Sequence, residues 1–248
     1  MRKILRMHAS GHRLWWMRFR IWRSEFYLKM SRLLSAKSRQ VWRYRRKDLD
    51  RRIWRACLKT GGRGRANCRI SEWCTGRNPY LGLVHRLDQP VSGVMVFAKT
   101  KEAAAALGRQ IASGLADKFY YAVTDGVPEA GKGQFTDYLL RDGRTNTSAV
   151  VESSTPGAKR AELSYEVLEQ KNGRAVLRIH LGTGRHHQIR VQLAHAGMPI
   201  VGDRKYNFKE NMKPSGEPLC LCSYKIGFRH PKTRRNLAFE IDNPFHLS

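Results

Sequence analysis

The chain has 248 residues, enough for one sizeable hydrophobic core, alone or with an extension. Its hydrophobic content of 41% is typical of a globular protein, and no run approaches the roughly 18 apolar residues of a membrane-spanning helix. Lys and Arg number 47 against 20 Asp and Glu, a formal net charge of +27. This excess favours a polyanionic partner, because cations that approach phosphates release counterions. An anionic membrane surface is the weaker alternative.

The five cysteines are too few and too irregularly spaced for a disulfide framework. None of them has the C-x-x-C spacing that is typical of a structural zinc site. The histidines of the C-terminal half also lack the spacing of a zinc-binding helix; they include His180, His186, His187 and His195. The sequence therefore predicts no metal, no cofactor and a reducing compartment.

Charge and tryptophan content divide the chain near residue 76. Residues 1–80 hold 23 Lys and Arg and 4 Asp and Glu, a net charge of +19, together with all six tryptophans. Residues 81–248 hold the other 24 basic and 16 acidic residues, a net charge of +8. We therefore predict a basic, Trp-rich extension over residues 1–75 and a folded domain over residues 76–248.

The extension is predicted to be helical or disordered, with helices at residues 24–34 and 41–58. Its first acid is Glu25, so the chain opens with a basic, acid-free segment like that of a transit peptide. A basic arm that coats RNA is an equal alternative, and translation of non-native sequence is a third. The predicted location is therefore a mitochondrion or another organelle, or otherwise the cytoplasm.

The folded domain begins with an apolar strand at residues 93–98 and a helix at residues 101–111. Thr100 is the predicted N-cap of this helix, and Gly114 lies past its end. The predicted buried face of the helix consists of Ala104, Leu107, Ile111 and Leu115.

Further strands and one more helix follow. Strand-like runs occupy residues 119–123, 161–168, 175–181, 219–228 and 237–241. A glycine-containing turn at residues 182–184 opens a helix over residues 186–196, which Gly197 closes. Many strands with few helices predict an α+β fold with a mixed, largely antiparallel sheet flanked by a few helices.

Three polar clusters interrupt these apolar elements. They read HRLDQPVSG at residues 85–93, KFYYA at residues 118–122 and GRHHQIR at residues 184–190. The third cluster leads on to Asp203 and Tyr206. Taken one at a time, their charged and aromatic residues fit ordinary turns, strands and helix faces.

In this order, the three clusters resemble the RluA-type RNA pseudouridine synthases. Residues 85–100 are similar to that family's HRLD segment, and residues 181–206 to its second signature. KFYYAV lies where the family keeps a lysine and, two residues on, a tyrosine. The resemblance covers residues 80–245, about two thirds of the chain. Its departures are Gln89 for a basic residue, His186 for Thr or Ser, and Cys222 for His; the strands that usually precede HRLD have no match in residues 1–80.

The resemblance implies a role for several residues. Asp88 is the implied nucleophile, Arg190 the partner whose two N–H bonds keep it ionised, and Tyr120 the residue that stacks near the base and helps to remove the C5 proton. Arg86 is implied to fill the space that the flipped base leaves. The third cluster supplies the other predicted RNA-binding residues, Arg185, His187 and Gln188.

The chemistry of the implied reaction needs these residue types. Forming pseudouridine breaks the glycosidic bond, turns the base and rejoins it through C5, so a carboxylate is needed to offset positive charge at the anomeric carbon. The base must also leave its stack to be reached. The sequence thus predicts a pseudouridine synthase acting on structured RNA such as ribosomal RNA. An inactive RNA-binding or ribosome-assembly factor with the same fold is the alternative. A hydrolase is a distant third, since no second carboxylate is placed as its acid.

Overall fold

The computed structural model describes residues 82–211 and 217–247, together with the backbone of residues 26–31. The strands are β1 Phe26–Ser31, β2 Gly82–Leu83, β3 Ser92–Ala98, β4 Asp117–Asp125, β5 Lys132–Asp142, β6 Thr147–Val151, β7 Lys159–Lys171, β8 Arg174–Leu181, β9 Leu221–Arg229 and β10 Asn236–Glu240. The helices are α1 Lys101–Ala112, α2 Gln188–His195 and α3 Phe208–Asn211.

All ten of these strands belong to one sheet. Its order is β1-β3-β9-β4-β8-β7-β5-β6, with β2 beside β3 and β10 beside β9. Every pair is antiparallel except β3 with β9. The α+β fold with a mixed, largely antiparallel sheet, predicted from the sequence, is therefore confirmed.

The parallel contact between β3 and β9 is short and close. Gly93 pairs with Ser223 and has a φ of +132°. A Cβ at Gly93 would lie 2.1 Å from the carbonyl oxygen of Ser223, so only glycine fits here. This contact places the loop that enters β3 next to β9, which also pairs with β4. The first and second polar clusters are thereby brought to the same part of the sheet.

Helix α1 follows the sequence prediction except at its end. The Thr100 hydroxyl accepts a hydrogen bond from the Ala103 N–H at 3.1 Å, which is the predicted N-cap. Leu107 is buried in an apolar cluster between the helix and strands β3 and β9. Leu115, however, is 72% exposed. The prediction for this residue is wrong because the helix ends at Ala112 and Gly114 turns the chain at a φ of +76°.

The main core lies where α2 packs on the sheet. Ile189 and Leu193 of α2 join Leu163 of β7 and Ile179 of β8 in one buried cluster, which also includes Tyr120. The helix therefore covers the sheet face on which Tyr120 lies. None of the helices in the described ranges is long and apolar enough to cross a bilayer.

The helix predicted at residues 24–34 is wrong in its central part. Residues 26–31 form β1, which pairs with β3 from Phe26↔Ala98 to Ser31↔Gly93. The sequence FYLKMS alternates between apolar residues and residues with polar groups, a period of two that fits a strand better than a helix. The helix predicted at residues 41–58 and the rest of the extension lie outside the described residues.

The hairpin of β5 and β6 was not predicted. Alternate residues of β5 are exposed, and Leu139 is its only buried apolar residue in the structure. A strand with so little apolar surface gives almost no hydrophobic period in the sequence. The hairpin matters because it forms one wall of the site described next.

Candidate active site

The loop carrying Asp88 is fixed at two points. The Val96 N–H of β3 donates to the His85 Nε2 at 3.0 Å, and the Val91 N–H donates to the Asp88 carbonyl at 2.7 Å. Burial, and after it the charge of Lys118, lowers the pKa of His85 to about 4. His85 is therefore neutral at physiological pH and keeps Nε2 as an acceptor.

The Asp88 carboxyl is half-buried beside the N-terminus of α2. Burial raises its pKa, and this effect exceeds four opposing ones. Those are the charges of His186, Arg190 and Arg86, and a hydrogen bond from the backbone N–H of His187. Asp88 is thus a partly dehydrated carboxyl surrounded by cationic groups and a helix N-terminus, both of which favour its ionised form.

Arg190 is near enough for its charge to act on Asp88 and is only 3% exposed. Its Nε donates to the Asp203 Oδ2 at 2.7 Å, and its Nη2 donates to the Asp203 Oδ1 at 2.5 Å. The expected two-bond contact between Arg190 and Asp88 is therefore wrong, since Asp203 receives both bonds. Arg190 acts on Asp88 through its charge, and within the described residues its buried Nη1 has no hydrogen-bond partner.

Asp203 is held by the backbone that follows it. Its Oδ1 also accepts from the Lys205 N–H at 2.9 Å and the Tyr206 N–H at 3.2 Å. The Tyr206 ring lies 5.1 Å from the Arg190 guanidinium carbon, a cation–π contact. The turn at residues 203–206 therefore fixes the position of Arg190 and explains why this segment follows GRHHQIR.

Tyr120 is 9% exposed and lies in the core beneath the Asp88 loop. Burial raises the pKa of Tyr120 to about 12; a hydrogen bond with Ser223 opposes this shift, and the nearby Asp88 charge adds to it. The phenol is consequently protonated at neutral pH. The structure thus brings together Asp88, Tyr120 and Arg190 from three separate segments of the chain.

His187 links α2 to the β5–β6 hairpin. Its Nδ1 lies 2.7 Å from the Tyr206 hydroxyl, which also accepts from the Ser148 N–H at 2.8 Å. Burial, then the charge of Arg190, lowers the pKa of His187 to about 3, so the ring is neutral. His187 Nδ1 and the Tyr206 hydroxyl are therefore joined by a hydrogen bond between two neutral groups. His186 stacks on this ring at 3.8 Å, and its own Nδ1 lies 2.9 Å from the Ser148 hydroxyl.

Gln188 is 2% exposed, and its amide is used within the protein. The carbonyl accepts from the Thr183 hydroxyl at 2.8 Å and from the Arg185 N–H at 2.9 Å. The amide nitrogen donates to the Glu162 carbonyl at 3.0 Å. Both His187 and Gln188 are thus buried supports of the site, and not exposed side chains open to RNA.

Arginines and lysines surround the opening of the site. Arg86 and Arg185 are exposed, as predicted for residues that face a ligand. Arg141 and Lys205, which sequence reasoning did not single out, are also exposed and act electrostatically on His186. Arg141 was not recognised because it belongs to the unpredicted hairpin.

Comparison with known proteins identifies the family of the chain. The sequence profile of the RNA pseudouridylate synthase family matches residues 64–195, so the chain belongs to that family. It is 35% identical over 171 residues to an uncharacterized RNA pseudouridine synthase of Aquifex aeolicus, covering 66% of this chain and 53% of the relative. It is 38% identical over 168 residues to ribosomal large subunit pseudouridine synthase D of Pseudomonas aeruginosa, covering 67% and 50%. The RluA-type resemblance is confirmed.

Solved structures show the same fold. The structure of human RNA pseudouridylate synthase domain containing 1 superposes with a TM-score of 0.60 at 23% identity, covering 67% of this chain and 71% of that one. The structure of human RNA pseudouridylate synthase domain containing 4 gives 0.58 at 24% identity, covering 71% and 76%. The chain spans about half the length of the curated relatives it matches.

Proposed function

We propose that this chain is an RNA pseudouridine synthase that converts uridine to pseudouridine in structured RNA, without a cofactor and with Asp88 as nucleophile. The observation that carries the proposal is the convergence of Asp88, Tyr120 and Arg190 on one partly dehydrated site. A protein that only bound RNA would gain nothing from burying a carboxyl at the cost that its raised pKa records.

The proposed reaction uses each group in turn. As the glycosidic bond breaks, ionised Asp88 either offsets the positive charge at the anomeric carbon or forms a bond to that carbon, and the released base takes the electron pair of the broken bond. Arg190 favours the ionised form of Asp88, and its buried Nη1, which has no partner among the described residues, can donate to Asp88. The base turns and C5 bonds to the anomeric carbon, while any bond from Asp88 to that carbon breaks and its electron pair returns to the carboxylate. C5 then loses its proton and N1 of the base gains one, so the reaction is an isomerisation. The Tyr120 ring stacks on the base, and its protonated hydroxyl, which also contacts Ser223, can relay the C5 proton only by giving up its own proton as it accepts this one.

RNA binding is assigned to the exposed cations. We propose that Arg86 fills the space of the flipped base and that Arg185 contacts the RNA, because both are exposed at the opening. His187 supports the segment next to Asp88, and Gln188 supports the turn of residues 183–185, because the polar groups of both side chains bond within the protein. Ribosomal RNA is the proposed substrate, on the basis of relatives named ribosomal large subunit pseudouridine synthases C and D.

The second candidate is an inactive RNA-binding or ribosome-assembly factor. The +19 charge of residues 1–80 and the match to only half of each relative favour it. Incubating the purified chain with transcripts of large-subunit ribosomal RNA separates the two functions. Nucleoside mass spectrometry should detect pseudouridine in the digested RNA. Tight binding without any product would instead establish the second candidate.

In the pH profile of kcat/KM, we expect the midpoint on the acid side to lie above the ordinary aspartate range, because burial raises the pKa of Asp88 above its usual 3.8. Only the ionised form acts, so activity falls as the pH drops through the raised pKa. Replacing Arg86 with Gln removes a charge that lowers this pKa, so the midpoint should move to higher pH. A pH–rate profile of both proteins is the measurement; an unshifted midpoint would argue that Arg86 does not act on Asp88.

We propose that the extension contributes to RNA affinity. Residues 1–24 carry seven Lys and Arg and no acid, and they precede β1. Deleting them should weaken RNA binding and flatten its dependence on salt, because fewer counterions are released. Deleting residues 1–75 also removes β1, so it should lower the Tm. Salt-dependent titrations and melts of both truncations test this; an unchanged salt slope after the shorter deletion would contradict it.

A further inference from the structure

A nearly buried lysine lies beside the turn that opens α2. Lys118 precedes Tyr120 by two residues in β4, so the two side chains share a sheet face and lie roughly 7 Å apart. Lys118 is 8% exposed. A Cβ built on Gly184 would lie 2.9 Å from the Lys118 Nζ, so the ammonium packs against the turn of residues 183–185.

This ammonium group has no acceptor in the described residues, where Lys118 forms neither an ion pair nor a hydrogen bond through its side chain. Burial and the charge of Arg185 lower the pKa of Lys118, and no carboxylate opposes them. Lys118 in turn lowers the pKa of His85. Buried lysines are normally paired, because an uncompensated buried charge is destabilising. The Lys118 ammonium is therefore largely dehydrated at a point of the site where no carboxylate of the described residues pairs with it.

We propose that Lys118 and Arg185, at the turn of residues 183–185, form a subsite for a backbone phosphate of the nucleotide being modified. The inference rests on the proposed function, because it takes the substrate to be RNA. A phosphate oxygen supplies the acceptor that the protein does not, and exposed Arg185 adds a second cation at the entrance. The spacing along β4 puts the subsite about one nucleotide's dimension from Tyr120, where the base would stack.

A purely structural lysine would behave differently. If Lys118 stabilised the fold, its replacement by the apolar isostere methionine would lower the Tm. If it serves a ligand, the same replacement relieves an uncompensated charge and raises the Tm by about 2 °C or more. The direction of the change in Tm thus separates the two roles before any ligand is added.

Binding of 5′-UMP and of uridine should be compared by protein NMR titration, in which the two probes differ by the phosphate alone. The wild-type chain should bind 5′-UMP about tenfold more tightly than uridine. Lys118→Met should remove that preference while leaving uridine affinity within about twofold. Arg185→Gln should also reduce the preference; Arg185 is exposed, and its Nε donates to the Arg160 carbonyl at 2.8 Å, so the Tm of this variant is measured as well. Lys171→Met, an exposed residue at the far end of β7, removes the same charge and should change nothing.

Several outcomes would overturn the subsite. The first two are equal binding of 5′-UMP and uridine by the wild-type chain, and no detectable binding of 5′-UMP at millimolar concentration. The other two are a preference for 5′-UMP that survives Lys118→Met, and one that is lost equally in Lys171→Met. A lowered Tm in Lys118→Met would assign the lysine to the fold. Pseudouridine formation in ribosomal RNA is measured separately, so a failed subsite with retained product leaves the proposed function intact.

Discussion

Replacing Asp88 with Asn should lower pseudouridine formation by at least roughly 10⁴-fold, the scale of loss for a single catalytic side chain. The amide has nearly the same shape but cannot act as the nucleophile. It can still accept the hydrogen bond from the His187 N–H, so RNA affinity should stay within a few-fold. Single-turnover product formation and a binding titration are the measurements.

The stability of this variant gives an independent check. Because burial raises the pKa of Asp88, ionisation of this carboxyl at neutral pH destabilises the folded state. Asp88→Asn should therefore raise the Tm at pH 7, and the gain should shrink as the pH falls towards the folded pKa, where Asp88 itself becomes neutral. Appreciable turnover by the purified variant would end the assignment of Asp88, whatever the melt shows.

Replacing Arg190 with Ala should remove both activity and much of the stability. Asp203 would be left as a buried carboxylate without its cation, a loss of about 3–5 kcal/mol in the free energy of unfolding. The pKa of Asp88 should rise further, because one of the charges that lower it has gone. Arg190→Lys should restore only part of either property, since a point charge cannot make both bonds to Asp203.

A double variant separates the structural loss from the catalytic one. Arg190→Ala with Asp203→Ala leaves no unpaired charge, so it should recover part of the stability and none of the activity. Lys132→Ala breaks an exposed ion pair with Glu166 and serves as control, with an expected change within about 1 kcal/mol. Denaturant unfolding and product formation are measured on all variants. Full activity of Arg190→Ala at neutral pH would show that its charge does not matter to Asp88.

Most of the fold followed from local sequence patterns. Strands β3, β4 and β7 to β10, together with both longer helices, have hydrophobic periods or caps that the sequence displays directly, as Thr100 shows for α1. The β5–β6 hairpin does not, because its strands are largely exposed and carry few buried apolar residues. Residues 26–31 had been interpreted as a helix from the sequence, but they form a strand because they pair with β3.

The residues of the site could be predicted from the sequence, but many of the contacts between them could not. Motif order identified Asp88, Tyr120 and Arg190, which the fold does bring together. The acceptor of Arg190 could not be read from the sequence, because Asp203 reaches it only after α2 and the following turn have folded back. The internal role of Gln188 and the burial of Lys118 likewise depend on tertiary packing, which residue type and spacing do not encode.

Mapping pseudouridines in ribosomal RNA tests the proposed function most directly. The cells to compare are those with the protein, those without it, and those without it but supplied with either the wild-type chain or Asp88→Asn. We expect one or a few pseudouridines to disappear with the protein, to return with the wild-type chain and to stay absent with Asp88→Asn. An unchanged pseudouridine map in cells without the protein, or restoration by Asp88→Asn, would contradict catalysis by this site.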